Sequence, residues 1–147
     1  MQIIYIILAI LCGAIYPIQG SVNGKLINYV GHPIITAVIS FLVGLTSLIL
    51  IGILGKVPWN QAIAAKNAPW YAWTGGLFGA FYIATVVLVI PRLGMALTFS
   101  LIVAGQIALS IIFDHYGLLG NPIREMTLGR LIGVLFLIAG IVFIRKY

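Results

Sequence analysis

Five long apolar stretches, separated by short runs that hold the prolines and most of the charged residues, organise the chain. The last four cover about 34–55, 70–90, 94–113 and 127–144. Each meets or approaches the roughly 20 residues a helix needs to cross a hydrocarbon core of about 30 Å. Pro33 precedes the second stretch, Pro58 follows it, Pro69 precedes the third, Pro91 closes it, and Pro122 falls between the fourth and fifth. A missing N–H and a fixed φ cost least at helix ends, so these prolines read as boundaries. Trp59, Trp70, Tyr71, Trp73, Tyr116 and Tyr147 lie at the same edges, where aromatic rings suit headgroup depth. The pattern predicts an all-α membrane protein, a single domain over 1–147 with five transmembrane helices.

The first stretch is less regular. Its apolar run meets "YPIQGSVNGKL", Tyr16 to Leu26. A helix over residues 3–16 would reach only about 21 Å at about 1.5 Å per residue, too short for the core. Carried on to Tyr29 it reaches about 40 Å, enough to cross with tilt. The predicted first helix is therefore about 3–29, broken at Pro17 with Gly20 and Gly24 completing the interruption. Helix breaks inside bilayers expose backbone groups that must be buried or line a wet cavity, and in transporters they mark binding sites. At 100° per residue Tyr16, Gln19 and Asn23 share one stripe, with Gly20 beside them and Lys25 opposite. They are candidate substrate-binding residues; the competing reading is that they only hold helices together.

The fourth stretch repeats this theme with Gln106, Ser110 and Asp114 at successive i+4 positions. Gln106 and Ser110 are candidate cavity residues, whereas Asp114 and His115 at the membrane edge read as an interfacial or capping pair. The remaining stretches carry small residues at packing intervals. Thr36, Ser40, Gly44 and Ser47 follow one side of the second. Gly75 and Gly79 form GxxxG in the third, and Tyr82, one turn further, is a candidate to reach a cavity. Gly133 and Gly140, extended by Gly129, make a seam on the fifth helix suited to contact between subunits.

Composition agrees with the pattern. The chain is 63% hydrophobic and 7% charged, with mean hydropathy +1.21, against roughly 25% charge in soluble domains. Its net charge of +6 comes from scattered basic residues, only Arg145 and Lys146 being adjacent. That is no nucleic-acid footprint; the basic side chains suit lipid headgroups and the setting of orientation. The single cysteine, Cys12, excludes an internal disulfide, and His32 and His115 lack metal-site spacing. No metal or cofactor is expected. Met1–Gln2 offers no basic segment ahead of the apolar run, so the first stretch is expected to be retained as a helix.

No Asp, Glu, Lys or Arg lies at the centre of any span, so the intramembrane carboxylate that couples many transporters to protons is missing. A cavity lined by amides, hydroxyls and aromatics suits a neutral or zwitterionic polar solute. An enzyme is not expected, since the spans hold no paired carboxylates and no nucleophile–base arrangement. Orientation is equally distinctive. With five spans, Lys56, Lys66, Arg124 and Arg130 fall on one side, and Lys25, Arg92, Arg145 and Lys146 on the other. Four against four gives no positive-inside bias. The chain is thus expected to insert both ways and to pair with itself as an antiparallel homodimer. Such a pair is an inverted repeat able to expose one site alternately to either face. One subunit of an obligate heterodimer, or a non-transporting membrane interaction protein, are the alternatives.

"YPIQGSVNGKL" (16–26), "GGLFGAFYI" (75–83), "PRLGMAL" (91–97), "VAGQIALSIIFDHYGLLG" (103–120) and "RLIGVLFLIAGIVF" (130–143) together resemble the YdcZ-type family of the drug/metabolite transporter superfamily. The resemblance covers essentially the full chain. It implies a five-helix unit equivalent to half of a ten-helix transporter, in the bacterial inner membrane. The small multidrug resistance family is more distantly similar. Its first helix carries a glutamate eight residues before a lysine, and the matching position here is Pro17, which departs from proton-driven export of cationic drugs. The Gly133/Gly140 spacing is similar to that family's dimerising last helix.

Overall fold

The computed structural model describes residues 2–147. Five α-helices carry most of them: α1 (Gln2–Val30), α2 (Pro33–Leu54), α3 (Gly75–Leu93), α4 (Met95–Tyr116) and α5 (Leu128–Lys146). All five are long and apolar enough to cross a membrane, the third together with a tight 3₁₀ segment, Trp70–Thr74, that leads into it. A second 3₁₀ segment, Trp59–Asn67, occupies most of the connection from α2 to α3. The hydrophobic pattern did not announce it.

Large side chains point outward along the helices: Ile3 is 71% exposed, Phe81 73% and Phe136 74%. Among the described residues only Ala37, Val86, Val87 and Ile141 form a buried apolar core. At about 25 cal/mol per Å² of apolar surface, a chain so arranged could not hold together in water. Its outward faces are made for acyl chains.

The chain forms two compact units, one ending at Arg92 and the other Leu93–Tyr147. In the first, α1 packs along α2. The turn between them is set by Gly31, at φ +73°, whose N–H donates to Ile27 O at 2.8 Å. His32 then caps α2, its Nδ1 accepting the Ile34 N–H at 3.2 Å, with Pro33 opening the helix where no N–H is needed. α2 ends in a Schellman motif: Lys56 N–H donates to Ile53 O (3.1 Å) and Val57 N–H to Gly52 O (2.9 Å). The Trp59 ring lies against Gly52, where a Cβ would collide with it. On α3, Gly79 faces Phe41, and a Cβ there would stand 3.3 Å from Phe41 Cζ. In the second unit α4 and α5 pack together. α4 stops at Gly117, in left-handed conformation at φ +61°, and α5 starts at Thr127, whose Oγ1 accepts the Arg130 N–H at 3.3 Å.

Two prolines behave differently from the sequence expectation. α1 is one continuous helix through Pro17, Gly20 and Gly24, so the expected break is absent. Proline deletes a single hydrogen bond of a 29-residue helix. In hydrocarbon, opening the neighbouring turns would free further groups at several kcal/mol each, so the helix runs on. The carbonyl facing the ring belongs to Gly13, four residues back. Pro91 does not close α3 but sits inside its last turn, the helix ending at Leu93. The terminator is Gly94, at φ +77° and ψ 165°.

Candidate functional site

The C-terminal part of the polar stripe of α1, from Gln19 to Asn23, faces the interior of the first unit, while Tyr16 is 46% exposed. Asn23 is 5% exposed, Gly20 is buried beside it, and Gln19 is half-buried. Lys25, on the other side of the helix, is exposed. Tyr16 is brought edge-to-face with Tyr82 of α3, ring centroids 5.6 Å apart and planes at 75°. Tyr82 is itself half-buried. These two tyrosines lie 66 positions apart, and no sequence spacing could have paired them. An edge-to-face pair contributes about 0.5–1.5 kcal/mol beyond the area it buries. Tyr82→Leu is therefore expected to lower stability by about 1 kcal/mol, while Tyr82→Phe, which keeps the ring, is not. Thermal melts in detergent check this; equal midpoints for the two variants would refute the pairing.

The second unit carries its own polar set. Gln106 and Ser110 line a groove of about 350 Å³ with Leu109, Phe113, Asp114 and Asn121. Ser110 and Asp114 also face a wider groove of about 690 Å³ that reaches Arg130 and Gly133. Asp114 Oδ2 stands 3.4 Å from Arg130 Nη1, each side chain about one-third exposed (33% and 31%). The same Nη1 donates to Arg124 O at 3.2 Å, and Arg124 N–H donates to Asp114 O at 2.8 Å. His115 Nδ1 accepts the Met126 N–H at 3.3 Å, so the histidine ties the loop to the end of α4. Asp114 and His115 thus have different partners, one on α5 and one in the loop. Arg130 and Asn121 were not among the sequence candidates. Their only signal was charge and amide character next to a helix end.

Gly133 and Gly140 of α5 are open: a Cβ at either would meet nothing within 4 Å. Thr36, which the sequence places on a packing stripe, and Thr98, which it did not single out, are both almost fully buried. Each donates its hydroxyl to the carbonyl four residues back, at 3.1 Å to His32 O and 2.6 Å to Gly94 O. They brace helix starts and offer nothing to a solute.

Five helices able to cross a bilayer, outward apolar faces, and a few polar side chains turned inward or lining grooves define a multi-pass membrane protein. Residues 4–143 match the family model described as "Putative inner membrane exporter, YdcZ". The chain belongs to that family and is a multi-pass protein of the inner membrane. No curated protein and no solved structure matches it.

Proposed function

We propose that the chain is a dual-topology transporter that exports small polar metabolites as an antiparallel homodimer, working by alternating access. The observation that carries the transport reading is the polar interior of the first unit. A buried asparagine, a half-buried glutamine and an edge-to-face tyrosine pair occupy helices that are otherwise apolar. In hydrocarbon such groups are retained where they meet a partner, water or a solute. Tyr16, Gln19, Asn23 and Tyr82 in the first unit, and Gln106 and Ser110 in the second, are the side chains that contact solute. Gly133 and Gly140 on α5 form the subunit seam.

The dimer reading is supported by where the basic residues fall. Lys56 and Lys66 lie between α2 and α3, Arg124 precedes α5 and Arg130 is in its first turn. Lys25 lies near the end of α1, while Arg92, Arg145 and Lys146 lie in the last turns of α3 and α5. The two sides carry equal numbers of Lys and Arg, so the positive-inside rule favours neither orientation. Single cysteines placed at residue 2 or residue 147 in a Cys12→Ser background, probed with a membrane-impermeant thiol reagent on intact cells, read this directly. Labelling of both positions is expected. Labelling of one alone means a fixed orientation and a different partner subunit. In vesicles, Gln19→Ala and Gln106→Ala are each expected to abolish transport with dimerisation unchanged; parallel loss of assembly would make these residues packing groups.

A further inference from the structure

Most hydroxyls of α2 and α4 are occupied by their own helix. Thr36, Thr46, Ser47, Thr98 and Ser100 each donate to the carbonyl four residues back, at 2.6–3.1 Å. Ser110 does not, and neither its hydroxyl nor the Gln106 amide has a protein partner among the described residues. Both open on the groove that Asp114 shares. Ser110 and Asp114 also face the wider groove that Arg130 lines, and there the Asp114–Arg130 pair is loose: 3.4 Å compares with about 2.7–2.9 Å for a charge-assisted N–H···O⁻ bond. Arg130 divides one nitrogen between Asp114 and the Arg124 carbonyl. The remaining guanidinium donors have no protein partner among the described residues.

We propose that Asp114 and Arg130 together form a recognition site for zwitterionic solutes that carry an ammonium and a carboxylate a few bonds apart. Asp114 takes the ammonium and Arg130 the carboxylate, with Ser110 and then Gln106 offering neutral hydrogen bonds deeper along α4. The exchange is electrically balanced. A zwitterion parts one ion pair and makes two, bringing no net charge to the membrane. A plain cation would leave Arg130 without its anion, and a plain anion would leave Asp114 without its cation. Both penalties grow at the low-dielectric edge of the bilayer. The site therefore selects molecules that bear both charges. This rests on the transporter reading and gives it a substrate class.

The test uses the purified full chain in detergent and follows the midpoint of thermal unfolding, since a ligand of the native state raises it. The probes are the common α-amino acids, their carboxamides, their N-acetyl derivatives and a set of uncharged polyols. At least one amino acid is expected to stabilise wild type, with apparent affinity at least about tenfold weaker for its carboxamide and its N-acetyl form. Asp114→Asn is expected to erase the preference over the N-acetyl form, and Arg130→Gln the preference over the carboxamide. Should either variant fold poorly, the reciprocal exchange Asp114→Arg with Arg130→Asp restores a pair and is expected to keep zwitterion preference. Discrimination that survives both single variants overturns the site. So does stabilisation by polyols alone, which would leave the transporter reading standing. No stabilisation by any probe also overturns the site, and the labelling and vesicle experiments then judge the transporter reading separately.

Discussion

Replacing Arg145 and Lys146 by glutamine is expected to turn a population of mixed orientation into one that labels almost wholly from one side. Orientation follows the difference in Lys and Arg between short loops on the two faces. The change leaves four basic residues on the N-terminal side against two, Lys25 and Arg92, on the other. The N-terminus is then expected in the cytoplasm. Lys56→Gln with Lys66→Gln tips the balance the opposite way and is expected to place the C-terminus inside. A single labelling protocol thus reads two displacements of opposite sign. Antiparallel pairing needs both orientations, so each variant alone is expected to lose the dimer, and the two expressed together to regain it. A dimer that survives in either one-sided variant would sink the head-to-tail arrangement.

Gly94→Val carries the second large effect, this time on stability. At φ +77° and ψ 165° Gly94 occupies a region essentially closed to residues with a Cβ. Occupying it costs about 1–3 kcal/mol, and a β-branched side chain makes the fit worse. The backbone cannot easily turn away. Gly94 O accepts both the Thr98 N–H at 3.2 Å and the Thr98 hydroxyl at 2.6 Å, and together these close the first turn of α4. A lower melting midpoint and reduced membrane yield are expected. Gly105→Ala, within α4 and with nothing within 4 Å of the added methyl, is the control. It is expected to be neutral or to gain up to about 1 kcal/mol from helix propensity. Equal melting of Gly94→Val and wild type would show that the glycine turn is dispensable.

The spans were legible because the demand is crude: about 20 apolar residues in a row, ended by polar or turn-forming ones. Helix ends were read less well, and for definite reasons. Pro17 sits among glycines and amides, a composition that in water would signal a turn. In lipid the same residues stay helical, because an unmade backbone bond has no water to replace it. Pro91 misleads on a smaller scale: a proline in a last turn removes a bond the helix can spare. Within the candidate site, helical spacing correctly grouped Gln19 and Asn23 on one face with Gly20. It could not reach Tyr16 against Tyr82, which depends on how α1 and α3 meet. Nor could it find Arg130 opposite Asp114, since that contact depends on the path of the loop from Gly117 to Thr127. Spacing describes one helix at a time, and both contacts join two.

The connection between α2 and α3 has a practical corollary. All three tryptophans of the chain, Trp59, Trp70 and Trp73, belong to it. The ultraviolet emission of the protein is therefore a local reporter. It follows the polarity around one short stretch of chain, whatever happens elsewhere. Trp59, seated on Gly52 at the end of α2, is its anchored component; a methyl at Gly52 would unseat the indole and shift its colour.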